Sequence, residues 1–597
     1  MYTLKRAGAF TIFTMVLVAL AGATQASPAS KVKDSQAADL VLRNGFVYTV
    51  DAKERVKQAV AVDDGRIVFV GSNGKAKQFI GPDTRVVDLR GKMVMPGLMD
   101  GHIHELSGGR QLTACSLDYQ DLEDDQMRAV IQECLDSTSD QEPDGWLSVE
   151  AWLAQSTPDP DKSILDALDT NRPILVTDTH VGLANSRALE LAGIDSGTPD
   201  PPDGRIGRYP NGEPNGILVD GAVGLVRDLI PQPTFEQDLA SLNAAVDALN
   251  AEGVTSIMDA SADEHTLQLF EALEAQGELT LRADFALRIS QAEAFGNQDE
   301  AIARVTDLKD RYSDATVTVA PNINTNTIKL VLDGLRTFPT QTGALLEPYY
   351  VNIGTEAEPE WVPGDDYGEL YIPHNNLFPL VRSLDAAGWQ LHMHVVGDRA
   401  TREGLDAIEF TRNGNGPNDQ RHTLVHIDLA HPTDYPRFAE LDTIASVSYQ
   451  WGRRDQFTID GEQDYMGPER FDRLYPFQSL RQNGAFIAWG SDWPVDPLSE
   501  WRSLEIGVTR TNDLTTDPKY TDPLNASEGT DIEDVVHSAT AGTAYQLHKE
   551  GVLGSIEVGK LADLIVLNQN VLQVPPGEIS ETKVLETIVG GETVYSR

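Results

Sequence analysis

The middle of the chain alternates short apolar runs with longer amphipathic stretches, a pattern typical of repeated strand and helix units around a parallel sheet. Eight runs read as strands, a number that closes a (β/α)8 barrel of the TIM type. A doubly wound open sheet is the alternative. The predicted strands are 93–104, 253–259, 281–289, 327–333, 389–395, 423–428, 443–448 and 485–491.

The two ends of the chain have a different pattern: short stretches of alternating apolar and polar residues, typical of strands, are separated by turns. Asn44-Gly45 and Asp64-Gly65 are such turns, and similar strands return within 554–567 and 587–595. Because an isolated hairpin is marginally stable, we expect both ends to combine. The predicted fold is an α/β barrel over 96–550, with an insertion at about 105–252, and a composite β-sandwich of 27–95 and 551–597.

Residues 1–26 carry the features of a secretory signal peptide. Lys5 and Arg6 precede an apolar run at 7–23 that ends in small residues. Cleavage would leave an exported protein, periplasmic or secreted, without stable membrane insertion; an uncleaved anchor is the alternative. Two cysteines follow, Cys115 and Cys134, and they either form one disulfide or remain buried thiols.

The charge balance narrows the choice of partners. With 92 acidic and 47 basic side chains, the net charge is −45, which argues against nucleic acids and anionic membranes. A well-solvated surface explains this charge, and adaptation to a salty medium is the alternative. We therefore expect a small-molecule partner, and a homo-oligomer is compatible with the sequence.

Polar residues recur where the predicted strands end. Side chains alternate along a strand, so His102 and His104 project to one side while Ile103 projects to the other. Because catalytic residues of such barrels lie at the carboxyl ends of strands, these side chains predict one shared site. The other members are Lys329 on strand four, His394 on strand five, His426 on strand six and Asp492 after strand eight.

These landmarks resemble the amidohydrolase superfamily, and within it the amidohydrolase family 3 branch, similar to metal-dependent hydrolases such as N-substituted formamide deformylases. The resemblance covers nearly the whole mature chain and implies the same barrel and composite sandwich. The matching motifs are Pro96-Gly97-Leu98-Met99-Asp100-Gly101-His102-Ile103-His104, Lys329-Leu330-Val331-Leu332-Asp333-Gly334, His394-Val395-Val396-Gly397-Asp398-Arg399, Gly490-Ser491-Asp492-Trp493-Pro494 and Gly559-Lys560-Leu561-Ala562-Asp563.

The resemblance also implies roles for the site residues. His102 and His104 would bind a buried divalent metal and His394 and His426 a more exposed one, with Lys329 bridging both as a carbamate. Asp492 would contact the metal and act as the proton-transfer residue. Two metals are implied, zinc being the default for nitrogen-rich sites. The implied reaction is hydrolysis of a C–N bond in a small N-acyl or N-formyl compound by a metal-bound hydroxide.

Other interpretations stay open. His392 competes with His394 for the strand-five position, and Val425 stands where relatives commonly have an acidic residue. Without carboxylation of Lys329, a mononuclear deaminase of a cyclic amidine or aminated ring is possible. A non-catalytic binding protein is a third alternative.

Substrate contacts are expected in the loops that follow the strands. Tyr449, Trp451 and Trp493 follow strands seven and eight and are candidates, with ordinary packing as the alternative. The resemblance implies His180 as a further candidate, with a structural hydrogen bond as the alternative. The long segment 335–388 is either a lid or a solvated surface loop. Its acidic and aromatic residues include Glu358, Trp361, Asp365, Asp366 and Tyr367.

Overall fold

The computed structural model describes residues 37–597 except 121, 139–144, 155, 156, 158, 159, 178–180, 202, 203, 315, 339 and 356. The predicted signal peptide lies outside these residues. The strands are β1 Leu40–Tyr48, β2 Val56–Asp63, β3 Arg66–Gly71, β4 Arg85–Asp88, β5 Met93–Pro96, β6 Leu98–Ile103, β7 Cys115–Ser116, β8 Leu147–Glu150, β9 Ile174–Thr177, β10 Val181–Ala184, β11 Gly204–Arg208, β12 Pro214–Asp220, β13 Val254–Ala262, β14 Arg282–Arg288, β15 Ile323–Val331, β16 Tyr350–Asn352, β17 Trp361–Pro363, β18 Gln390–Val395, β19 Thr423–His426, β20 Ile444–Val447, β21 Phe486–Trp489, β22 Leu564–Leu567, β23 Val584–Val589 and β24 Glu592–Ser596.

Helices fill most of the connections between these strands. They are α1 Asn73–Ala76, α2 Glu105–Thr113, α3 Asp124–Thr138, α4 Ser163–Asp166, α5 Ser186–Ala192, α6 Gly221–Arg227, α7 Phe235–Glu252, α8 Glu264–Gln276, α9 Gln291–Phe295, α10 Gln298–Tyr312, α11 His374–Ala386, α12 Asp398–Asn415, α13 Tyr435–Glu440, α14 Gln463–Met466, α15 Pro468–Phe471, α16 Phe477–Gln482, α17 Glu500–Thr509, α18 Ile532–His537 and α19 Thr543–Gln546. Short 3-10 and π turns occur between some of them.

Eight parallel strands form the barrel, in the order β21-β20-β19-β18-β15-β14-β13-β6. Backbone hydrogen bonds bring its two edges together just beyond β21: the Asp492 N–H donates to the His102 carbonyl at 2.8 Å, and the His104 N–H donates to the Trp493 carbonyl at 2.9 Å. The predicted barrel is therefore confirmed, with the carboxyl ends of β6 and β21 side by side.

The predicted first strand, 93–104, is divided in the structure at Gly97. Its first part, β5, belongs to the terminal sheet, and its second part, β6, belongs to the barrel. A Cβ atom at Gly97 would lie about 2.2 Å from the Thr255 side chain, so only glycine fits where the chain passes from one sheet to the other.

Local signals explain where the barrel helices begin and end. A capping box of Thr234 and Gln237 opens α7, and the Asp263 side chain accepts the Thr266 N–H in the first turn of α8. Gly253 ends α7 in the left-handed conformation, with φ of 90°. The chain can therefore turn directly from α7 into β13.

The two ends of the chain combine as expected, but into one continuous sheet. Its order is β24-β23-β22-β5-β1-β2-β3, with β4 pairing β1. Strand β1 pairs β4 along its first half and β5 along its second half, and its pairing with β2 shifts register between Arg43 and Val47. Antiparallel pairing of β5 with β22 joins the N-terminal and C-terminal parts. The exact domain boundaries stay a prediction.

The insertion after β6 has its own mixed sheet, in the order β11-β12-β10-β9-β8-β7. Cys115 and Cys134 form a disulfide that ties β7 to α3, which decides between the two alternatives left by the sequence. In the described part of the chain, no helix is both long enough and apolar enough to span a bilayer.

Candidate metal centre

His102 and His104 lie where β6 ends, and both rings reach the same carboxylate. The Nε2 atom of His102 is 3.3 Å from Asp492 Oδ1, and that of His104 is 3.2 Å from the same oxygen. The side chain of His102 is buried, whereas that of His104 is 30% exposed. Ile103 points into the hydrophobic core, as strand alternation predicts.

Lys329 extends from β15 into the same cluster. Its Nζ atom lies 3.4 Å from His102 Nε2, and the residue is buried. Burial lowers the pKa of Lys329 to about 8, with opposing contributions from nearby charges. The amine therefore has access to its neutral, nucleophilic form near neutral pH.

His394 and His426 complete the group from β18 and β19. Their ring centroids lie 4.7 Å apart, and the centroid of His426 is also 4.7 Å from that of His102. His426 Nε2 is 4.0 Å from Asp492 Oδ2. His394 Nε2 lies 3.3 Å from the carbonyl oxygen of Gly334.

Two of these residues, His426 and Asp492, have left-handed backbone conformations, and so does Ile427 directly after His426. The φ angle is 72° at His426, 52° at Ile427 and 54° at Asp492. Such angles cost of order 1 to 3 kcal/mol each for residues other than glycine, and they concentrate at functional sites. The backbone turns sharply at these two strand ends, where it brings a ring and a carboxylate toward the barrel axis.

The electrostatic environment keeps the imidazoles of His102, His394 and His426 neutral. Burial, followed by nearby cationic groups, lowers the pKa values of His102 and His426 well below their usual range and that of His394 to about 4. For Asp492, burial acts to raise the pKa, but the hydrogen bond from His104 and the favourable interactions of the carboxylate with His426 and Lys329 outweigh it and lower the pKa. Neutral rings and an ionised carboxylate are the forms that bind metals.

This donor set fits a divalent metal. Ligand atoms of His102, His426 and Asp492 all lie within 4.8 Å of one another, and all three residues are buried. Two imidazole nitrogens and a carboxylate oxygen are typical ligands of catalytic zinc. His104 and Lys329 lie directly beside this group and offer further donors.

Three supporting residues were not assigned from the sequence. Asp100 accepts hydrogen bonds from the N–H groups of His102 and Ser491 and from the Ser491 hydroxyl, so it joins β6 to the chain after β21. Ser448 lies 3.1 Å from His426 Nδ1 and supplies the ring partner that Val425 does not. Asp100 stands within the quoted motif, but its role depends on a contact 391 positions away.

Asp333 is the third supporting residue. Its carboxylate accepts hydrogen bonds from the N–H groups of Ala344, Val396 and Gly397, which joins the loops after β15 and β18. Its Oδ1 atom is 3.9 Å from His394 Nε2. The sequence signal that could have indicated this residue is an acidic side chain two positions after β15, the strand that carries Lys329.

The predicted substrate contacts have different surroundings. The ring of Trp451 stacks on His426 with 4.9 Å between centroids and is partly exposed, so it lies at the cluster. Tyr449 is buried in the hydrophobic core, where it contacts Ser538 and Phe477. Trp493 is buried and fills the space beside Gly108 of α2. His180 lies outside the described residues.

A parallel eight-stranded barrel with imidazoles, a lysine and an aspartate at the carboxyl ends of its strands defines a metal-dependent hydrolase of the amidohydrolase type. The Amidohydrolase family model matches residues 85–595, and the chain belongs to this family.

Individual relatives and structures agree with this membership. The chain is 29% identical over 569 residues to "Protein LONG AFTER FAR-RED 3" of Arabidopsis thaliana, covering 94% of this chain and 92% of the relative. It is 25% identical over 575 residues to "N-substituted formamide deformylase" of Arthrobacter pascens, covering 94% and 99%. A solved metal-dependent hydrolase from Pyrococcus horikoshii has the same fold, with a TM-score of 0.69 and 22% identity over 90% of this chain and 99% of the other.

Proposed function

We propose that this protein hydrolyses a C–N bond in a small N-acyl or N-formyl compound. The observation that carries the proposal is the convergence of His102, His426 and Asp492 at the mouth of the barrel, with Lys329 beside His102. The relative described as an N-substituted formamide deformylase, which aligns along nearly its whole length, supports this bond type.

Two divalent cations, zinc being the default, would be held by His102 and His104 on one side and His394 and His426 on the other. When bound, they would acidify a water molecule for nucleophilic attack and polarise the scissile carbonyl. Lys329 would bridge them after carboxylation, because a carbamate supplies two anionic oxygens and a protonated amine supplies none. The buried amine supports this assignment, since burial favours the neutral form that reacts with carbon dioxide.

Asp492 is the proposed proton carrier. Its carboxylate faces both His102 and His104, and its lowered pKa keeps it ionised and able to accept a proton at one oxygen. It would then donate this proton to the leaving nitrogen. Trp451, stacked on His426, would form one wall of the pocket and exclude water from that side.

Metal analysis and product identification test the proposal together. We expect about two metals per chain, loss of metal in Lys329→Ala, and loss of turnover with retained fold in Asp492→Asn. Lys549→Ala is the matched control, because Lys549 is equally buried but pairs with Asp284 outside the site. The substrates are panels of N-acyl, N-formyl, lactam and ester compounds, with the products identified by mass.

Each alternative function has its own outcome. One metal per chain, unchanged turnover in Lys329→Ala and release of ammonia from an aminated ring would replace the proposal with a mononuclear deaminase. A protein that binds a panel compound without converting it would be a binding protein. Cleavage of no C–N bond in the panel would contradict the proposal.

We also propose that the protein is exported. The Cys115–Cys134 disulfide supports export, because disulfides persist in oxidising compartments. Sequencing of the mature N-terminus should find it close to Ser27. A cytoplasmic protein with an intact N-terminus would contradict this proposal.

A further inference from the structure

One buried side chain beside the cluster has no role in the proposed reaction. His392 lies on β18, two residues before His394, and is fully buried. Its register partner on β15 is Lys329, so both side chains point into the barrel. His392 therefore lies level with Lys329 and one layer below His394.

His392 contacts His102 through specific ring atoms. Its Nε2 atom lies 2.7 Å from His102 Nδ1, a hydrogen-bond distance, and the ring centroids are 4.8 Å apart. The opposite nitrogen of His102, Nε2, faces Asp492 and Lys329. His102 thus has one nitrogen toward the proposed metal and the other toward His392.

The contact constrains the tautomer of His102. A hydrogen bond between two neutral rings requires an N–H group on one and a lone pair on the other. If His102 offers the Nε2 lone pair to a cation, its proton must be on Nδ1, and His392 Nε2 must accept it. His392 then carries its own proton on Nδ1, for which no residue in the described part of the chain provides a hydrogen-bond partner.

A buried imidazole with one unpartnered nitrogen is unfavourable for folding alone, since an unsatisfied buried polar group costs about 1 to 3 kcal/mol. His422 shows the ordinary arrangement. It is equally buried, but its Nε2 atom is 2.9 Å from Asp385 Oδ1, and its Nδ1 atom accepts from the Leu391 N–H. The difference between the two residues indicates that His392 serves the site above it.

We propose that His392 is a positioning residue that orients the ring of His102 and holds its Nε2 lone pair toward the metal. It is thus neither a ligand nor an alternative to His394. The inference rests on the metal centre of the proposed function, and the experiment below separates the two.

The test measures the zinc dissociation constant of the purified mature protein by competition with a chelator. His392→Leu removes the acceptor and should weaken binding 10-fold to 100-fold, the range found when a partner of a ligating histidine is removed. His392→Gln places an amide oxygen near the position of Nε2 and should bind zinc within about threefold of wild type, as expected for a retained hydrogen bond. His392→Phe replaces the leucine variant if that variant does not fold.

His422→Leu is the matched control, since it removes a buried histidine of the same barrel away from the site. It should lower the melting temperature without changing zinc affinity. Wild-type affinity in His392→Leu would overturn the inference, and so would an equal loss in His392→Gln, because the acceptor would then not be what matters. Absence of zinc binding by the wild-type protein would instead refute the proposed function.

Discussion

The closing motif Gly559-Lys560-Leu561-Ala562-Asp563 makes a specific prediction about stability. Asp563 pairs with Arg282 at the amino end of β14, and the two side chains are 4% and 0% exposed. The Arg282 Nε atom donates to Asp563 Oδ2 at 2.7 Å and Nη2 donates to Oδ1 at 3.1 Å. This ion pair connects the terminal sheet, which contains strands from both ends of the chain, to the barrel.

The expected loss of unfolding free energy depends on which hydrogen bonds the remaining partner keeps. Removing one member of a buried ion pair costs about 3 to 5 kcal/mol. Asp563→Ala leaves the guanidinium with the carbonyl oxygens of Thr318, Val319 and Ala320, so we expect a loss of about 3 kcal/mol. Arg282→Met leaves the carboxylate with the Gly590 N–H, so the loss should approach about 5 kcal/mol.

Urea unfolding followed by tryptophan fluorescence and by circular dichroism measures both losses. Hydrogen exchange should also speed up at the amide of Gly590, which donates to the Asp563 carboxylate, and at that of Gly97, which donates to the Asp563 backbone carbonyl. The control is Glu264→Ala, which removes an exposed ion pair to Arg311 and should leave the midpoint unchanged. An unfolding midpoint of Asp563→Ala that equals the wild-type value would refute the reasoning.

Three further predictions concern the pocket, pH and redox state. Trp451→Ala should raise the KM of a cleaved substrate about 2-fold to 10-fold and leave kcat nearly unchanged, as expected for a lost aromatic contact; an unchanged KM would remove Trp451 from the pocket. Asp385→Asn should cost about 2 kcal/mol at pH 7. Although burial acts to raise the pKa of Asp385, hydrogen bonds from an imidazole and two asparagine amides lower it from 3.8 to about 2. In urea titrations this cost should therefore be full above pH 4 and fade as the pH falls toward 2; a cost independent of pH would contradict the assignment. Reduction of the Cys115–Cys134 disulfide should destabilise the insertion by about 3 kcal/mol, from its 19-residue separation. Dithiothreitol should lower the melting temperature of the wild type but not of the double serine variant, and equal shifts would point to another cause.

Local sequence patterns predict most of the fold and part of the candidate metal site. The apolar runs locate all eight barrel strands, because strand periodicity and helix capping depend on residues close in sequence. The alternation of His102, Ile103 and His104 fixes which side chains share a face. The same local rule could not distinguish the roles of His392 and His394, since both project from one face of β18.

The sequence by itself therefore determined the barrel, the types of side chain at its strand ends and the family to which the chain belongs. The tertiary structure decided which of these side chains meet. The contact of His102 with His392 spans 290 positions, and that of Arg282 with Asp563 spans 281. Such pairs depend on the register of strands around the barrel and on the pairing of the two chain ends, which no local pattern encodes. For the same reason Tyr449 and Trp451, neighbours in sequence, have different places: one in the core and one against His426.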